Sequence, residues 1–321
     1  MPFYAKSQQG CLVHRFLVWH IGLRLPNGLT LLVWLVLLGC MKVTPLAAQP
    51  LNQALAQRCW ADSSVWRTRP DLREPMSVRI GNLRKGDTVP SPFWLDFGVR
   101  GMGIIPAGTA HAQAGHHHVL IDTPLPSSHV DQIPFSNNYR HFGKGQTGTL
   151  LDLPPGLHTV RLLFADHEHR PYFVYSPEIS FTVAGARSDP APVISKNNYA
   201  QSCARWLAYE MTRPHPTEPH VYLRNIRAND VLPTLSVIGL GVVGFGVAPT
   251  DANLAGTGHF EVIASKAGQV VTVQRLVKGN TETLLELAPG NYQLQVSFVD
   301  AAGKKLLAAV NVPIRVASDS G

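Results

Sequence analysis

Large apolar residues alternate with other residues in short runs along the chain. Every second residue of 160–164 is apolar (Val160, Leu162 and Phe164), and 294–298 repeats the pattern. Because successive side chains of a strand point to opposite faces, each run predicts a strand with one face in a core. Turns rich in Gly and Pro separate the runs. In the first half of the chain the predicted strands cover residues 77–80, 93–99, 117–121, 149–153, 159–164 and 178–183.

The chain contains an internal repeat. Residues 115–121 align with 258–264 at an offset of 143, and residues 150–156 align with 284–290 at an offset of 134. The first copy therefore has nine more residues between these blocks, which we assign to a long loop at about 123–143. About seven short strands in each copy predict an all-β protein of two tandem immunoglobulin-like β-sandwich domains, each preceded by a short α-helix.

This repeat sets the predicted domain boundaries. The first copy is expected at 71–186 and the second, degenerate copy at 219–317, with helical lead-ins at 49–70 and within the linker 187–218. Residues 1–48 are expected to be a signal peptide or membrane-targeting segment.

The targeting prediction depends on an uncharged apolar run at 29–41, which suits a signal-peptide core and is short for a membrane span. Cleavage after Ala48 is the first interpretation. A lipoprotein, with Leu37-Leu38-Gly39-Cys40 as lipobox, and an uncleaved anchor are the alternatives. The protein is therefore expected to be periplasmic or secreted, or else anchored in a membrane and facing the periplasm. Any membrane contact would be through this segment.

Composition narrows the class of partner. The chain has 45% hydrophobic and 15% charged residues, as globular proteins do. Its formal charge is +7, but residues 1–48 hold four basic residues and no acid, which leaves +3 for the remainder. Without a stripe of Lys and Arg we expect no nucleic-acid partner. An unknown envelope protein or a small ligand is expected instead.

Two cysteines follow the targeting segment, and their contexts are similar. Ala56-Gln57-Arg58-Cys59 resembles Ala200-Gln201-Ser202-Cys203 at an offset of 144, and each cysteine falls in a stretch with helical spacing of apolar residues. In an oxidising compartment we expect a Cys59–Cys203 disulfide joining two short helices. The alternative is a pair of reduced, buried cysteines.

Histidines supply the candidate chemistry. Alternation places His116 and His118 on one face of a strand, opposite the core-facing His117, which aligns with Phe260. His167 and His169 are likewise expected to share a strand face, and His141 to join them from the long loop. Imidazole is a common ligand of copper and zinc. The predicted metal ligands are His116, His118, His141, His167 and His169.

Other interpretations of these histidines stay open. They could form a polar network that orders the long loop, or a pocket for an organic anion. A catalytic role is not expected. Ser127 and Ser128 are only sequence neighbours of His129, and the side chain of Glu168 is expected to point away from His167 and His169.

The first copy also resembles an uncharacterised domain family of exported bacterial proteins. Four ordered motifs carry the resemblance: Gly115-His116-His117-His118-Val119-Leu120-Ile121-Asp122; His141-Phe142-Gly143-Lys144-Gly145-Gln146-Thr147; Leu153-Pro154-Pro155-Gly156-Leu157-His158-Thr159-Val160; and Asp166-His167-Glu168-His169-Arg170-Pro171. The resemblance covers about residues 75–184. It implies a shared fold and export and no established activity.

These observations predict an exported, non-catalytic binding protein whose first domain holds a ligand, a transition metal such as Cu or Zn, through its histidines. The competing hypothesis is a structural or protein-interaction module of the cell envelope. In that case the histidines only order a loop.

Overall fold

The computed structural model describes residues 18–24, 30–36, 48–68 and 76–318. Residues 1–51 form a unit of their own, in which β1 (Val18–Arg24) pairs antiparallel with β2 (Thr30–Val36). The apolar run 29–41 is thus a strand where it is described, and the lipobox lies outside the described residues. The targeting segment stays a prediction. No helix in the described ranges is long and apolar enough to cross a membrane.

Short helices precede both sandwiches. They are α1 (Ala48–Asp62) and α2 (Ser64–Thr68) before the first, and α3 (Tyr199–Glu210), after one 3₁₀ turn, before the second. Cys59 of α1 and Cys203 of α3 form the predicted disulfide, with their Cα atoms 5.5 Å apart. Leu55, Ile194 and Trp206 pack around it in a small separate core.

The first copy contains ten strands, and the six that the sequence predicts are all present with ends shifted by a few residues. A three-stranded sheet (β3, β5, β9) faces the sheet that contains β4, β7, β8, β10, β11 and β12. The strands are β3 (Ser77–Ile80), β4 (Thr88–Ser91), β5 (Phe93–Arg100), β6 (Gly103–Ile104), β7 (Ala114–Ile121), β8 (Tyr139–Phe142), β9 (Gly148–Leu151), β10 (Gly156–Ala165), β11 (Pro171–Tyr175) and β12 (Ile179–Ala186).

The second copy repeats this arrangement. Its three-stranded sheet β13-β15-β19 faces a sheet in the order β14-β21-β20-β17, with β18 paired to β17. The strands are β13 (His220–Leu223), β14 (Asp230–Leu232), β15 (Leu235–Val243), β16 (Gly246–Val247), β17 (Thr257–Lys266), β18 (Gln269–Arg275), β19 (Glu282–Glu286), β20 (Gly290–Val299) and β21 (Val310–Val316).

Each sandwich has its own core, and the repeat holds at the level of single side chains. In the first core His117 of β7 lies opposite Phe164 of β10, with ring centroids 4.9 Å apart. In the second, Phe260 lies opposite Phe298 at 5.0 Å. The alternating residues Val160, Leu162 and Phe164 are fully buried, as predicted.

The two copies are joined by contacts that repeat in both directions. Edge strands β6 and β16 pair antiparallel through Ile104 and Val247, so the larger sheets continue into one 13-stranded sheet. Thr147 hydrogen bonds to Val242 of the second copy, and its equivalent Thr281 hydrogen bonds to Val99 of the first.

Glycines permit this close approach. A Cβ on Gly145 (φ +83°) would lie 2.5 Å from the Cα of Gly246. The equivalent Cβ on Gly279 (φ +80°) would lie 2.4 Å from the Cα of Gly103. The copies are therefore related by an approximate twofold axis within one chain, as the two subunits of an isologous dimer are.

Candidate functional site

Strand β7 carries the first two histidines of the site. His116 and His118 are fully buried and point away from the sandwich core, because His117 between them takes the core side. Their Nε2 atoms lie 3.2 Å apart, within hydrogen-bonding distance. This agrees with the faces predicted from alternation.

His141 reaches the site from a strand. The sequence interpretation placed it in the long loop, which was wrong: it lies on β8, directly opposite His118 of β7. All four residues of β8 are half-buried, so the segment has no apolar alternation that would mark it as a strand. The His141 ring lies 4.8 Å from that of His116 and 5.2 Å from that of His118, centroid to centroid.

His167 and His169 were expected on a strand, sharing a face, and this is also wrong. They lie in the turn between β10 and β11. One carboxylate oxygen of Asp166 accepts hydrogen bonds from the backbone N–H groups of Glu168 and Arg170 and so closes the turn. The turn aims His169 at the cluster, with its ring 4.9 Å from those of His116 and His141.

The structure therefore unites four of the five predicted ligands and leaves one outside. We call His116, His118, His141 and His169 the histidine cluster. His167 shares in none of the ring contacts found among the described residues, and only its carbonyl is engaged, by the N–H of Gly108 at 3.2 Å. One ligand nitrogen each from His116, His141 and His169 lie within 4.8 Å of one another.

The backbone of His169 has an uncommon conformation. It has φ +66°, in the left-handed region that side chains with a Cβ rarely adopt. In the second copy Asp300 closes the same turn, through the N–H groups of Ala302 and Lys304, and Gly303 stands at this position with φ +83°. The scaffold thus favours glycine here, and the first copy holds a histidine against that preference.

Several ring nitrogens of the histidine cluster have no hydrogen-bond partner among the described residues. These are Nδ1 of His116, Nδ1 of His118 and Nε2 of His141. Burial, together with the neighbouring imidazoles, lowers the pKa of His116 to about 3 and that of His118 to about 2. Both rings are therefore neutral at physiological pH, and each has one nitrogen lone pair free of a proton.

A residue that sequence reasoning missed covers the histidine cluster. Phe135, in the loop between β7 and β8, lies 5.0 Å from the ring of His169 and 5.2 Å from that of His141. The N–H of Ile133 donates to the carbonyl of His169, which ties this loop to the turn. Phe135 sits in a polar loop and is 60% exposed, so no periodicity singles it out.

The other two histidines of the motifs belong to the scaffold. His117 is fully buried against Phe97 and Phe164, with neither ring nitrogen hydrogen bonded to a described residue. His158 hydrogen bonds to the Asp122 carboxylate at 2.7 Å and to the Pro154 carbonyl at 2.9 Å. Its equivalent, Tyr292, donates to the carbonyl of Ala288 in the same way.

Taken together, the fold and the site define a mostly β protein of two immunoglobulin-like sandwiches, with a histidine cluster in the first copy that the described residues of the second do not repeat. The sequence matches the family described as Domain of unknown function (DUF4399) over residues 95–184 and 238–317. The chain belongs to this family and carries two copies of its domain, as the sequence motifs predict. No curated protein matches the chain.

Solved structures give distant matches to this fold. The fibronectin(III)-like modules of CbhA from Clostridium thermocellum are 12% identical, over 75% of this chain and 94% of that one, with TM-score 0.22. A two-domain fibronectin type-III segment of chicken tenascin is 10% identical, over 75% and 99% of the two chains, with TM-score 0.20. CopC from Methylosinus trichosporium OB3b is 18% identical, over 32% and 98%, with TM-score 0.22.

Proposed function

We propose that this is an exported, non-catalytic binding protein whose first copy holds one transition-metal ion in the histidine cluster. The observation that carries the proposal is the left-handed backbone of His169, at a position where the second copy has Gly303. A strained residue persists where the surrounding structure imposes it, and such residues concentrate at functional sites. Here the strain places a fourth imidazole beside three others.

The donor set favours copper or zinc. Neutral imidazole suits Zn, Cu and Ni, whereas Mg and Ca take oxygen ligands. Ligand nitrogens about 2.1 Å from a tetrahedral zinc lie about 3.4 Å from one another. The Nε2 atoms of His116 and His118 already lie 3.2 Å apart, and one nitrogen each of His116, His141 and His169 lie within 4.8 Å of one another, so small ring rotations would complete the site.

A binding role fits the surroundings of the histidine cluster better than hydrolysis. A hydrolytic zinc site needs an open coordination position and a general base. Glu168, the carboxylate nearest in sequence, forms an exposed ion pair with Arg170. Phe135 covers the cluster from the loop side.

Export is the second part of the proposal. The Cys59–Cys203 disulfide is typical of oxidising compartments, which fits a periplasmic or secreted protein. The apolar run at 29–41 would direct that export, and an uncleaved or lipidated segment would anchor the protein facing the periplasm.

One observation favours the alternative, an envelope interaction module whose histidines only order a loop. The carbonyl of His169 accepts a hydrogen bond from Ile133, and the ring of His169 packs against Phe135. Both contacts would hold the loop between β7 and β8 without any metal.

Calorimetric titration of the full chain with Cu²⁺ and Zn²⁺ separates the two functions. We expect one equivalent to bind, and His169→Ala to weaken that binding by at least about tenfold, the loss seen even for residues that only support a ligand. His167→Ala is a matched control two residues away in the same turn, and should leave the affinity unchanged. Equal affinities in the two variants, or no stoichiometric binding, would contradict the metal-binding proposal. The alternative, an envelope interaction module, would then remain.

A further inference from the structure

A second candidate site lies apart from the histidine cluster. A partly open cavity of about 630 Å³ is lined by residues of α1, α2 and α3 and of strands β5 and β13, so both copies contribute to it. No member of the histidine cluster lines it. Its volume is that of a small-molecule site, which in proteins is usually 300–1,000 Å³.

Flat aromatic side chains form much of the wall. The rings of Trp94 and His215 are stacked, with centroids 3.9 Å apart and planes 11° from parallel. Tyr222 meets both edge-on, and Trp60 and Trp66 of the helices also line the space. Such walls favour a flat aromatic ligand, because aromatic pairs gain from stacked and edge-to-face contacts beyond the area they bury.

Two arginines that are paired with acids, Arg67 with Asp230 and Arg227 with Glu210, also line the cavity. Trp60 is held between two guanidinium groups, those of Arg67 and Arg227, at 3.6 Å and 3.5 Å from its ring. Cys59, the neighbour of Trp60, is fixed to α3 by the disulfide, so this wall is tied to the element opposite it. The cavity is therefore built on restrained elements.

One buried cation in the cavity has an unused donor. The Arg224 side chain is only 2% exposed, and its other nitrogens bond to the Leu240 carbonyl and the Glu282 carboxylate. Its Nη1 has no hydrogen-bond partner among the described residues. This atom lies beside Gly81, where an added Cβ would stand 2.9 Å from it, and both residues line the cavity.

The unpartnered Nη1 belongs to a local network of two guanidinium groups and two carboxylates. Glu282 is shared between Arg224 and Arg79, so one carboxylate faces two guanidinium groups. Asp96, which also lines the cavity, accepts a hydrogen bond from Trp94 Nε1 and attracts Arg224 electrostatically, but it does not accept a hydrogen bond from Nη1. An unpaired buried donor on a cation is unfavourable, and an incoming carboxylate would satisfy it with a charge-assisted bond.

We propose that this cavity binds a small aromatic carboxylate, with its ring against the tryptophan walls and its carboxylate on Nη1 of Arg224. The glycine at position 81 leaves the space beside that nitrogen, and the second copy has Arg224 itself at the equivalent position. The site thus exists once per chain, because the two copies differ at this one aligned position.

Calorimetry of the full chain with indole-3-acetate and its neutral amide, indole-3-acetamide, tests the proposal. The carboxylate should bind at one equivalent and at least tenfold more tightly than the amide. Arg224→Lys keeps a charge beside Glu282 and removes the free nitrogen, so it should weaken carboxylate binding at least tenfold. Arg275→Lys, an exposed arginine paired with Glu261, should bind as the wild type does.

Trp66→Leu gives an independent test should Arg224→Lys fail to fold, since the only ring contact of Trp66 found among the described residues is with Arg84. It should weaken the aromatic carboxylate at least fivefold and leave any binding of acetate unchanged. Equal affinity for acid and amide, wild-type affinity in a folded Arg224→Lys, or no binding of indole-3-acetate or benzoate at millimolar concentration would overturn the proposal. His169→Ala should bind the carboxylate normally, which keeps this site separate from the metal.

Discussion

Thr147 of the first copy and Thr281 of the second make equivalent contacts, each with a strand of the other copy. Thr147 exchanges hydrogen bonds with the backbone N–H and C=O of Val242, each at 3.0 Å, and the hydroxyl of Thr281 accepts from the N–H of Val99 at 2.9 Å. Both threonines are almost fully buried. A pair of side-chain hydroxyls thus adds to the β6–β16 pairing at the junction of the two copies.

Removing one of these hydroxyls should destabilise the whole chain. In Thr147→Val the backbone groups of Val242 lose their partner in a buried site, which costs roughly 1–3 kcal/mol of unfolding free energy. Thr281→Val should cost a similar amount. Urea unfolding measures both, and Thr149→Val, a partly exposed threonine on β9, serves as control. A Thr147→Val loss no larger than that of the control would contradict this role.

His169→Gly and His169→Ala should distinguish the cost of the left-handed backbone from the contribution of the imidazole to metal binding. His169→Ala keeps the cost of a left-handed backbone with a Cβ, whereas His169→Gly removes it, as Gly303 does in the second copy. We expect the metal-free Gly variant to be more stable than the Ala variant by about 1 kcal/mol. Both should bind Cu²⁺ equally poorly. Identical unfolding midpoints would show that the turn carries no strain.

His117→Phe should stabilise the protein, because Phe260 fills the same position in the second core. Neither ring nitrogen of His117 has a described partner, and leaving a buried polar group unpaired costs roughly 1–3 kcal/mol. Denaturant unfolding at neutral pH measures the gain. His129→Phe in the exposed loop should give none. A destabilised His117→Phe would mean that the core does not accept the larger ring.

His117→Phe should also weaken the dependence of the unfolding free energy on pH below pH 6.5. Burial lowers the pKa of His117 to about 3, so below its ordinary value of 6.5 the unfolded state binds the proton and the folded state does not. Stability is therefore fully present above pH 6.5 and is lost as the pH falls toward 3. His117→Phe should reduce that slope by about 1 kcal/mol per pH unit. Unfolding curves from pH 4 to 8 test this.

His158 should change the pH dependence of stability in the opposite direction to His117. Burial lowers its pKa, but the Asp122 hydrogen bond, the Pro154 carbonyl and the Asp122 charge outweigh burial, so the pKa is raised overall. Its contribution to stability is present below pH 6.5 and is lost as the pH rises through the raised pKa. Asp122→Asn should bring that pKa down in NMR titration and cost more stability at pH 6 than at pH 9. An unchanged His158 pKa in Asp122→Asn would contradict the role of the His158–Asp122 hydrogen bond.

The confirmed sequence predictions came mainly from regular alternation of apolar residues and from the internal repeat. Alternation at Val160, Leu162 and Phe164 predicted β10, and it also predicted that His116 and His118 face away from His117. The disulfide followed from the matched contexts of Cys59 and Cys203. Each of these depends on local geometry or on the repeat, and both are visible in one sequence.

The wrong prediction for His167 and His169 arose because a side-chain hydrogen bond turns the chain where the residue spacing suggested a strand. Asp166 bonds to two backbone N–H groups and turns the chain, so spacing on a strand could not place His167 and His169. The signal that was available is Gly303, the residue aligned with His169. The cavity beside Arg224 depends on packing between helices and both copies, for which a single sequence has no pattern.

The disulfide has a topological consequence for turnover of the protein. Every residue of the first sandwich lies between Cys59 and Cys203, which are 144 positions apart. A protease that cuts once anywhere in that span, such as in the exposed loop around His129, leaves two fragments that stay covalently joined. A nicked molecule would keep its full mass until it met a reductant, so the first cut alone would release neither copy.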